Sequence, residues 1–410
     1  MPVQDIDNSS RFSARFSPRA LLLIEIALAM GGFGIGTGEF AIMGLMPNVA
    51  QSLSVTEPQV GHLISAYALG VVVGAPLLAL AGALLFRRHL LILLMAIFAL
   101  GNFASALAGD YQSLLLYRFL AGLPHGAYFG VASLVAASLV PPEQRAKAVS
   151  RVMSGLTLAM LVGNPLATWL GQSLDWRYVF GLVGLISLLT VALVTLYLPV
   201  NRQEARSNPL HELRAFNQPR VWLAMAISSI GFAGMFCVFS YLAPTLLEVT
   251  RADKGWIPVA LALFGAGAIV GNMVGGWLFD RLGFKAVGWL LIWSTAVLLL
   301  FPPATQTIGT LLLATFAVGS MISLCPALQT HLMDVAEGAQ TLAAASNHSA
   351  FNIANALGPW LGGLAISAGF SWSSTGLVGA ATAVAGFLVF VIAYRRHEAP
   401  AVQEARVAAG

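Results

Sequence analysis

ALLLIEIALAMGGFGIGTGEFAIMGLMP, residues 20 to 47, contains Glu25 and Glu39 and no other ionisable side chain. A helix rises about 1.5 Å per residue, so a run of this length can cross a hydrocarbon layer of about 30 Å while satisfying its own backbone hydrogen bonds. It is too long for the core of a cleaved signal peptide, so it is expected to remain as helix 1. The polar arm ahead of it, residues 1–19, carries Arg11, Arg15 and Arg19.

Comparable runs fill the rest of the chain. Of 410 residues, 58% are hydrophobic and 9% are charged, against about 25% charged in an ordinary soluble domain. So few charges cannot cover a water-exposed surface, and hydrocarbon must take the place of water over most of it. A net charge of +4 would suggest nucleic acid in a soluble protein. Here the basic residues sit in short loops and report topology instead, so no nucleic-acid partner is expected. Cys237 and Cys325 lie singly in apolar runs, which predicts packing residues without a disulfide framework or a zinc site.

Apolar runs bounded by charges, prolines and turn residues predict helices over 20–46, 58–86, 89–109, 111–138, 147–172 and 177–198, then over 220–247, 256–280, 285–304, 307–331, 338–369 and 373–394. The fold class is therefore an all-α membrane protein with twelve transmembrane helices. Between the two sets lies a polar stretch holding Arg202, Glu204, Arg206, His211, Glu212 and Arg214. The expected division is an arm over 1–19, a six-helix bundle over 20–198, a linker over 199–219, a second bundle over 220–394 and a tail over 395–410.

Lysine and arginine set the expected orientation. The termini, the linker and the other loops on their side hold 17 of the 21; the opposite side holds only Arg177, Arg251 and Lys254, and Arg118 is left inside helix 4. By the positive-inside rule both termini are expected in the cytoplasm.

Shifting the chain by 197 residues places Pro47 on Pro244, Gly70 on Gly267, Gly74 on Gly271, Arg88 on Lys285, Phe119 on Phe316 and Gly122 on Gly319. One register held across four helices marks an internal repeat. Six-helix repeats joined by a linker on the terminal side have the same orientation. That predicts a pseudo-twofold along the membrane normal, a substrate site at the interface near the midplane, and alternating access.

Several stretches carry a family likeness. Helix 1 reads Gly36-Thr37-Gly38-Glu39-Phe40 and then Gly44-Leu45-Met46-Pro47; helix 2 reads Ser65-Ala66-Tyr67-Ala68-Leu69-Gly70 leading to Gly74-Ala75-Pro76; helix 4 reads Arg118-Phe119-Leu120-Ala121-Gly122-Leu123-Pro124-His125-Gly126. With these the sequence resembles the major facilitator superfamily, in particular its bacterial drug:proton antiporter branch with the arabinose efflux permeases. The resemblance implies the major facilitator fold and links Arg118 to proton coupling. It also makes Gly276, Asp280, Arg281 and Gly283 a conformational loop motif, together with Gly163 and Pro165 in helix 5 and Gly358 and Pro359 in helix 11. Two features depart from the pattern. The corresponding loop between helices 2 and 3, Ala79 to Arg88, has no acid, and Asn164 is interposed in Gly163-Asn164-Pro165.

A charge at the bilayer centre costs roughly 2.5–3.5 kcal/mol on insertion scales, so Arg118, about 10 Å inside helix 4 at 1.5 Å per residue, should face a partner or a watery cavity. The alternative is a snorkelling or static structural arginine. Glu39 has the opposite charge at similar depth and is its expected partner, whereas Glu25 reads as a surface carboxylate near the terminal arginines. His125 follows Arg118 by two turns on the same face and can titrate near neutral pH, or simply pack beside Pro124. Glu39, Arg118 and His125 thus form the candidate proton-coupling set. Unpaired amides are costly in hydrocarbon, so Asn347, Asn352 and Asn355 should point inward with His348. Residues 348, 352 and 355 share one helix face, fit either to bind substrate or to bond a neighbouring helix. Tyr67, Tyr128, Trp169 and Tyr241 are candidate cavity walls for a moderately apolar substrate. Glycines at 122, 126 and 130, and at 267, 271 and 275, allow close helix packing.

The leading expectation is a monomeric secondary transporter in a bacterial inner membrane, exporting a small molecule such as a drug, sugar or related metabolite by proton antiport. Its expected partners are substrate, protons and the lipid bilayer. No G-x-x-x-x-G-K-[ST] phosphate loop occurs, so neither ATP nor any other cofactor is expected. A proton-coupled importer or facilitator would share the fold. A membrane-bound sensor would ordinarily append an output domain, and only 16 residues follow Tyr394. An intramembrane enzyme is disfavoured, because no cluster of His, Asp and Glu has ligand spacing.

Overall fold

The computed structural model describes residues 17–82, 85–141, 144–200, 219–335 and 340–408, and the side chains within those ranges except 79–82, 146, 340–346 and 397–408. Most of the expected arm, linker and tail, and the loop stretch 79–84, therefore lie outside the residues whose side chains are described.

The first six membrane-length helices are α1 (Pro18–Gly44), α2 (Glu57–Gly82), α3 (Arg87–Ala106), α4 (Tyr111–Ser138), α5 (Arg145–Leu158, a π-turn over Ala159–Gly163, then Asn164–Ser173) and α6 (Trp176–Tyr197). The second six are α7 (Pro219–Gly231 and Ala233–Ser240, ending in a π-turn over Thr245–Val249), α8 (Trp256–Leu282), α9 (Lys285–Ala304), α10 (Ile308–Ser320 continuing as Leu324–Val335), α11 (Gln340–Ser367) and α12 (Thr375–Ala408). Among the described residues, eleven helices are long and apolar enough to cross a membrane. The remaining long helix is α11, whose Asn347, His348, Asn352 and Asn355 lower its hydropathy. Twelve crossings put both ends of the bundle on one face, called here the terminal face.

Start signals come from the chain itself. Ser17 accepts from the Ala20 N–H with Pro18 in the first turn; Asp110 accepts from the Ser113 N–H at 2.9 Å, and Asp175 from the Arg177 N–H at 2.8 Å. Such caps satisfy otherwise orphaned donors. The Ser113 backbone N–H, helped by its hydroxyl, holds the Asp110 carboxyl below the usual carboxylate range. Two ends differ from expectation. A short helix, Met46–Leu53, continues beyond α1, and α12 runs on to Ala408. Residues after Tyr394 are polar but rich in alanine, glutamate and arginine, and hydropathy marks the membrane boundary rather than the end of helix propensity.

The internal repeat is also a repeat of packing. A Cβ on Gly70 would strike the Phe119 carbonyl and one on Gly122 the Tyr67 carbonyl; one repeat later, Gly267 meets the Phe316 carbonyl and Gly319 the Phe264 carbonyl. The α2–α4 and α8–α10 pairs are therefore the same close crossing made twice, as small residues at such interfaces permit. Gly126 meets Ala75, and Gly271 and Gly275 meet the Ser320 and Ser323 backbones, whereas Gly130 meets nothing within 4 Å.

Polarity is inverted relative to a soluble fold. Leu100, Leu313 and Met273 are 68–70% exposed, while Glu39, Arg118, Asn102, Asn164 and Asn355 are at most 2% exposed. Glu25 corrects the sequence reading. It is buried rather than at the surface, and its Oε2 accepts from Arg151 Nη1 of α5 at 2.8 Å. Trp169 also differs: at 60% exposure it stands on the outer surface and walls no interior cavity.

The halves touch mainly toward the face opposite the termini. Tyr241 of α7 donates to the Pro359 carbonyl at 2.7 Å, and its hydroxyl lies against Gly61 at the start of α2 and Gly363 in α11. Ser65 donates to the Ala356 carbonyl at 2.8 Å, Leu261 of α8 lies against Gly44, and Gly265 abuts the backbone of Met160 and Leu161.

Candidate functional site

Four helices bring the polar residues of the interior together. Glu39 is near the end of α1 away from the termini, where Gly38 lets α1 approach Asn102 and Phe98 of α3. Asn355 of α11 donates through Nδ2 to Glu39 Oε1 at 2.8 Å. His125 Nδ1 of α4 lies 3.8 Å from Glu39 Oε2 and is hydrogen bonded to the Tyr67 hydroxyl of α2 at 3.1 Å. The guanidinium of Arg118 stacks 4.3 Å from the centre of the Tyr67 ring and 5.0 Å from that of Phe180.

This differs from the expected ion pair. Among the described residues no ion pair within 4 Å joins Glu39 to Arg118, although the two charges act on each other; Tyr67 and His125 connect them through successive contacts. The physical reason is azimuth: equal depth on two helices does not decide which way each side chain turns. Arg118 is fully buried and its three guanidinium nitrogens find no hydrogen-bond partner among the described residues; the Tyr67 and Phe180 rings and the negative charge of Glu39 act on it instead. A desolvated cation over such a face gains about 2 kcal/mol or more, and the guanidinium donors stay unsatisfied among the described residues.

Toward the terminal face, the Phe129 ring stacks parallel to that of His348 at 6.0 Å and edge-on to His125 at 5.3 Å. His348 is partly exposed while His125 is buried, so this aromatic line runs from a partly accessible ring toward the carboxylate. Asn352 donates to its own helix at the His348 carbonyl, 2.9 Å away, leaving a buried Oδ1 unpartnered among the described residues, as is Asn355 Oδ1. Asn347 turns away to Ser228 and Cys325 within the second half.

The candidate tyrosines all have structural partners. Tyr67 holds His125 and Arg118. Tyr128 donates to the Leu28 carbonyl at 2.7 Å over Gly31, tying α4 to α1, and Tyr241 joins the halves as described. Phe40, next to Glu39 in the chain, packs in a buried aromatic cluster with Phe236, which in turn meets Phe351, with ring centres 6.3 Å apart for Phe40 and Phe236 and 5.0 Å apart for Phe236 and Phe351. Sequence reasoning missed this cluster and missed Phe129 and Phe180. The spacing of Phe232, Phe236 and Phe239 on one helical face was the available signal.

The motif residues lie elsewhere. Gly283 closes α8 with φ +55° and ψ −142°, a conformation suited to glycine, its N–H donating to the Phe279 carbonyl. Asp280 and Arg281 are exposed on the terminal face, Arg281 over the Trp277 ring at 4.3 Å. Gly163 ends the π-turn against Phe33 and Thr37, just ahead of Pro165, which lacks an N–H to continue the ladder. Gly358 lets α11 approach the Ala233 and Cys237 backbone, and Pro359 supplies the carbonyl that Tyr241 reaches.

Two repeated helical bundles enclosing charge at their interface, with lipid-compatible surfaces outside, define a multi-pass membrane transporter. The chain belongs to the Major Facilitator Superfamily, whose sequence pattern matches residues 28–325 and 244–409. It is 40% identical over 375 residues to the inner membrane transport protein YdhP of Escherichia coli (strain K12), covering 91% of this chain and 96% of that one. It is 33% identical over 383 residues to a chloramphenicol resistance protein of Streptomyces lividans, covering 90% and 95%. In fold it matches the crystal structure of a bacterial homologue of the human lysosomal transporter Spinster, inward-facing and unoccupied, with a TM-score of 0.71, 18% identity and coverage of 92% and 96%. Like its relatives, the chain is a transporter and not an enzyme.

Proposed function

We propose that this transporter exports a small, moderately apolar molecule from the cytoplasm in exchange for protons, with Glu39 as the group for which proton and substrate compete. The observation that carries this reading is the buried bond from Asn355 to Glu39, which links the second half of the fold to the one carboxylate of the cluster. Protonating Glu39 alters what Asn355 and His125 can donate to it, so proton occupancy and the packing of the halves are coupled. Substrate arriving from the terminal face can reach Phe351, which is partly exposed and lies one helical turn before Asn355. Export is favoured by the relative named for chloramphenicol resistance, and an inner-membrane location by the relative named as an inner membrane protein.

In this reading a monomer suffices, with bundles over 20–198 and 220–394 rocking about the site. The excess of basic residues on the terminal side supports cytoplasmic termini and a cytoplasmic 199–219 linker. Inside-out vesicles with an imposed proton gradient test the proposal across amphenicols, sugars, nucleosides and peptide metabolites. Uptake that collapses with a protonophore is the expected result. Uptake indifferent to it would make the protein a facilitator, and accumulation only in right-side-out vesicles would make it an importer.

A further inference from the structure

Phe129 stands between two histidines on the terminal side of Glu39. It follows His125 by one turn of α4, presents its edge to the His125 ring at 5.3 Å and lies parallel to the His348 ring at 6.0 Å. Helix α4 runs toward the terminal face, whereas α1 and α11 run away from it. Phe129 is therefore nearer that face than His125, and His348, seven residues before Asn355, is nearer it than Asn355. On α1 the matching level is Gly32, seven residues before Glu39. A Cβ there would lie 3.2 Å from the Phe129 ring and 3.5 Å from the Val152 carbonyl of α5, so the missing side chain lets the ring lie against the α1 backbone.

The Phe129–His348 contact joins the first half to the second on the side where the halves otherwise touch little. A path from the terminal face to Glu39 along the seam of α4 and α11 crosses this pair of rings. On the inner side, His125 Nδ1 is 3.8 Å from Glu39 Oε2; on the outer side, His348 is partly exposed, while Phe129 itself is 1% exposed. The charge of His348 acts on His125 across the phenyl ring. Imidazole takes a proton on one nitrogen and gives one up from the other, which phenyl cannot do. Glu25, the other carboxylate of α1, is already paired with Arg151 at 2.8 Å.

We propose that the exchanged proton leaves Glu39 through His125 and then His348, and that Phe129 is the barrier between the two histidines, turning aside to admit water only when substrate is taken up. The acid proton of Glu39 passes to the neutral His125 ring, leaving a carboxylate and an imidazolium. Water admitted past Phe129 carries a proton from that imidazolium to His348, which releases it on the terminal side, and both rings end neutral. This rests on the reading of Glu39 as carrier of the exchanged proton and adds the route and its gate.

The test needs no substrate. The full-length chain is reconstituted in liposomes holding a pH-sensitive dye, a proton gradient is imposed, and its decay is followed. Excluding water from a site is what prevents proton leakage, so Phe129→Ala and the milder Phe129→Val should each speed the decay about fivefold over the unaltered protein. Adding Glu39→Gln to either should return the decay to the unaltered rate, and adding His348→Asn should remove most of the gain; a leak through a merely loosened bundle would respond to neither. Decay no faster in both Phe129 variants, at a melting temperature near that of the unaltered protein, would overturn the proposal. So would a gain that survives Glu39→Gln or His348→Asn in full. Failure of the exchange reading itself shows separately, as vesicle uptake of substrate indifferent to a protonophore.

Discussion

Asn355 and Glu39 are 316 residues apart, yet the Asn355 amide donates to the Glu39 carboxylate at 2.8 Å in a place where neither side chain is more than 2% exposed. A hydrogen bond to a charged group contributes about 1.5–3 kcal/mol net. This one joins the two repeats, so that contribution depends on how they are packed.

Glu39→Gln keeps an oxygen for Asn355 and removes the titration. Substrate binding should persist and proton-driven accumulation should be lost. The measurement is proton release when substrate is added to purified protein in weak buffer; release as large in Glu39→Gln as in the parent would remove Glu39 from the coupling role.

Asn355→Ala leaves the carboxylate without its cross-repeat donor. Transport should fall about tenfold or more if the bond forms in only one arrangement of the halves, at the 1.5–3 kcal/mol given for such bonds. Substrate affinity measured on the same preparation separates a coupling defect from a binding one.

Tyr67→Phe retains the ring beneath Arg118 and deletes the hydroxyl bonded to His125. Its expected effect, shared with His125→Asn, is a displaced pH profile of transport at normal expression. Tyr67→Ala also removes the cation's stacking surface and should lower the melting temperature. A pH profile unchanged in both conservative variants would assign the pair to packing.

Gly122→Val and Gly130→Ala should act in opposite directions. A side chain at 122 runs into the Tyr67 backbone, whereas a methyl at 130 meets nothing within 4 Å. The first should destabilise and abolish transport. The second should raise thermal stability slightly, since alanine is favoured over glycine in a helix by about 0.5–1 kcal/mol.

A reporter active only outside the membrane, fused after Arg395, should remain silent. Activity there would invert the topology and the direction of export with it.

Much of the architecture was legible because lipid-facing helices announce themselves by length and composition, and because the 197-residue register aligns Gly70 and Gly122 with Gly267 and Gly319. The inward amides of α11 were legible as well, since polar groups in an apolar run must point at something. The partnership at the site was not. Glu39 and Arg118 were matched by charge and depth, but the orientation of α2, which sets Tyr67 against Arg118 and His125, is set by long-range packing that no local pattern encodes. Glu25 was misplaced for the same reason: its partner Arg151 arrives 126 residues later, on a helix whose neighbour cannot be read from spacing.

The unpaired burial of Arg118 bears on how the protein is made. Helix α4 cannot rest alone in hydrocarbon at low cost, and the surface that shelters its guanidinium belongs in part to α2, synthesised earlier. The reciprocal glycine crossing of these two helices thus has a second consequence: by seating α2 against α4 it shelters the charge as well as packing the repeat, and Phe180 of α6 completes the shelter.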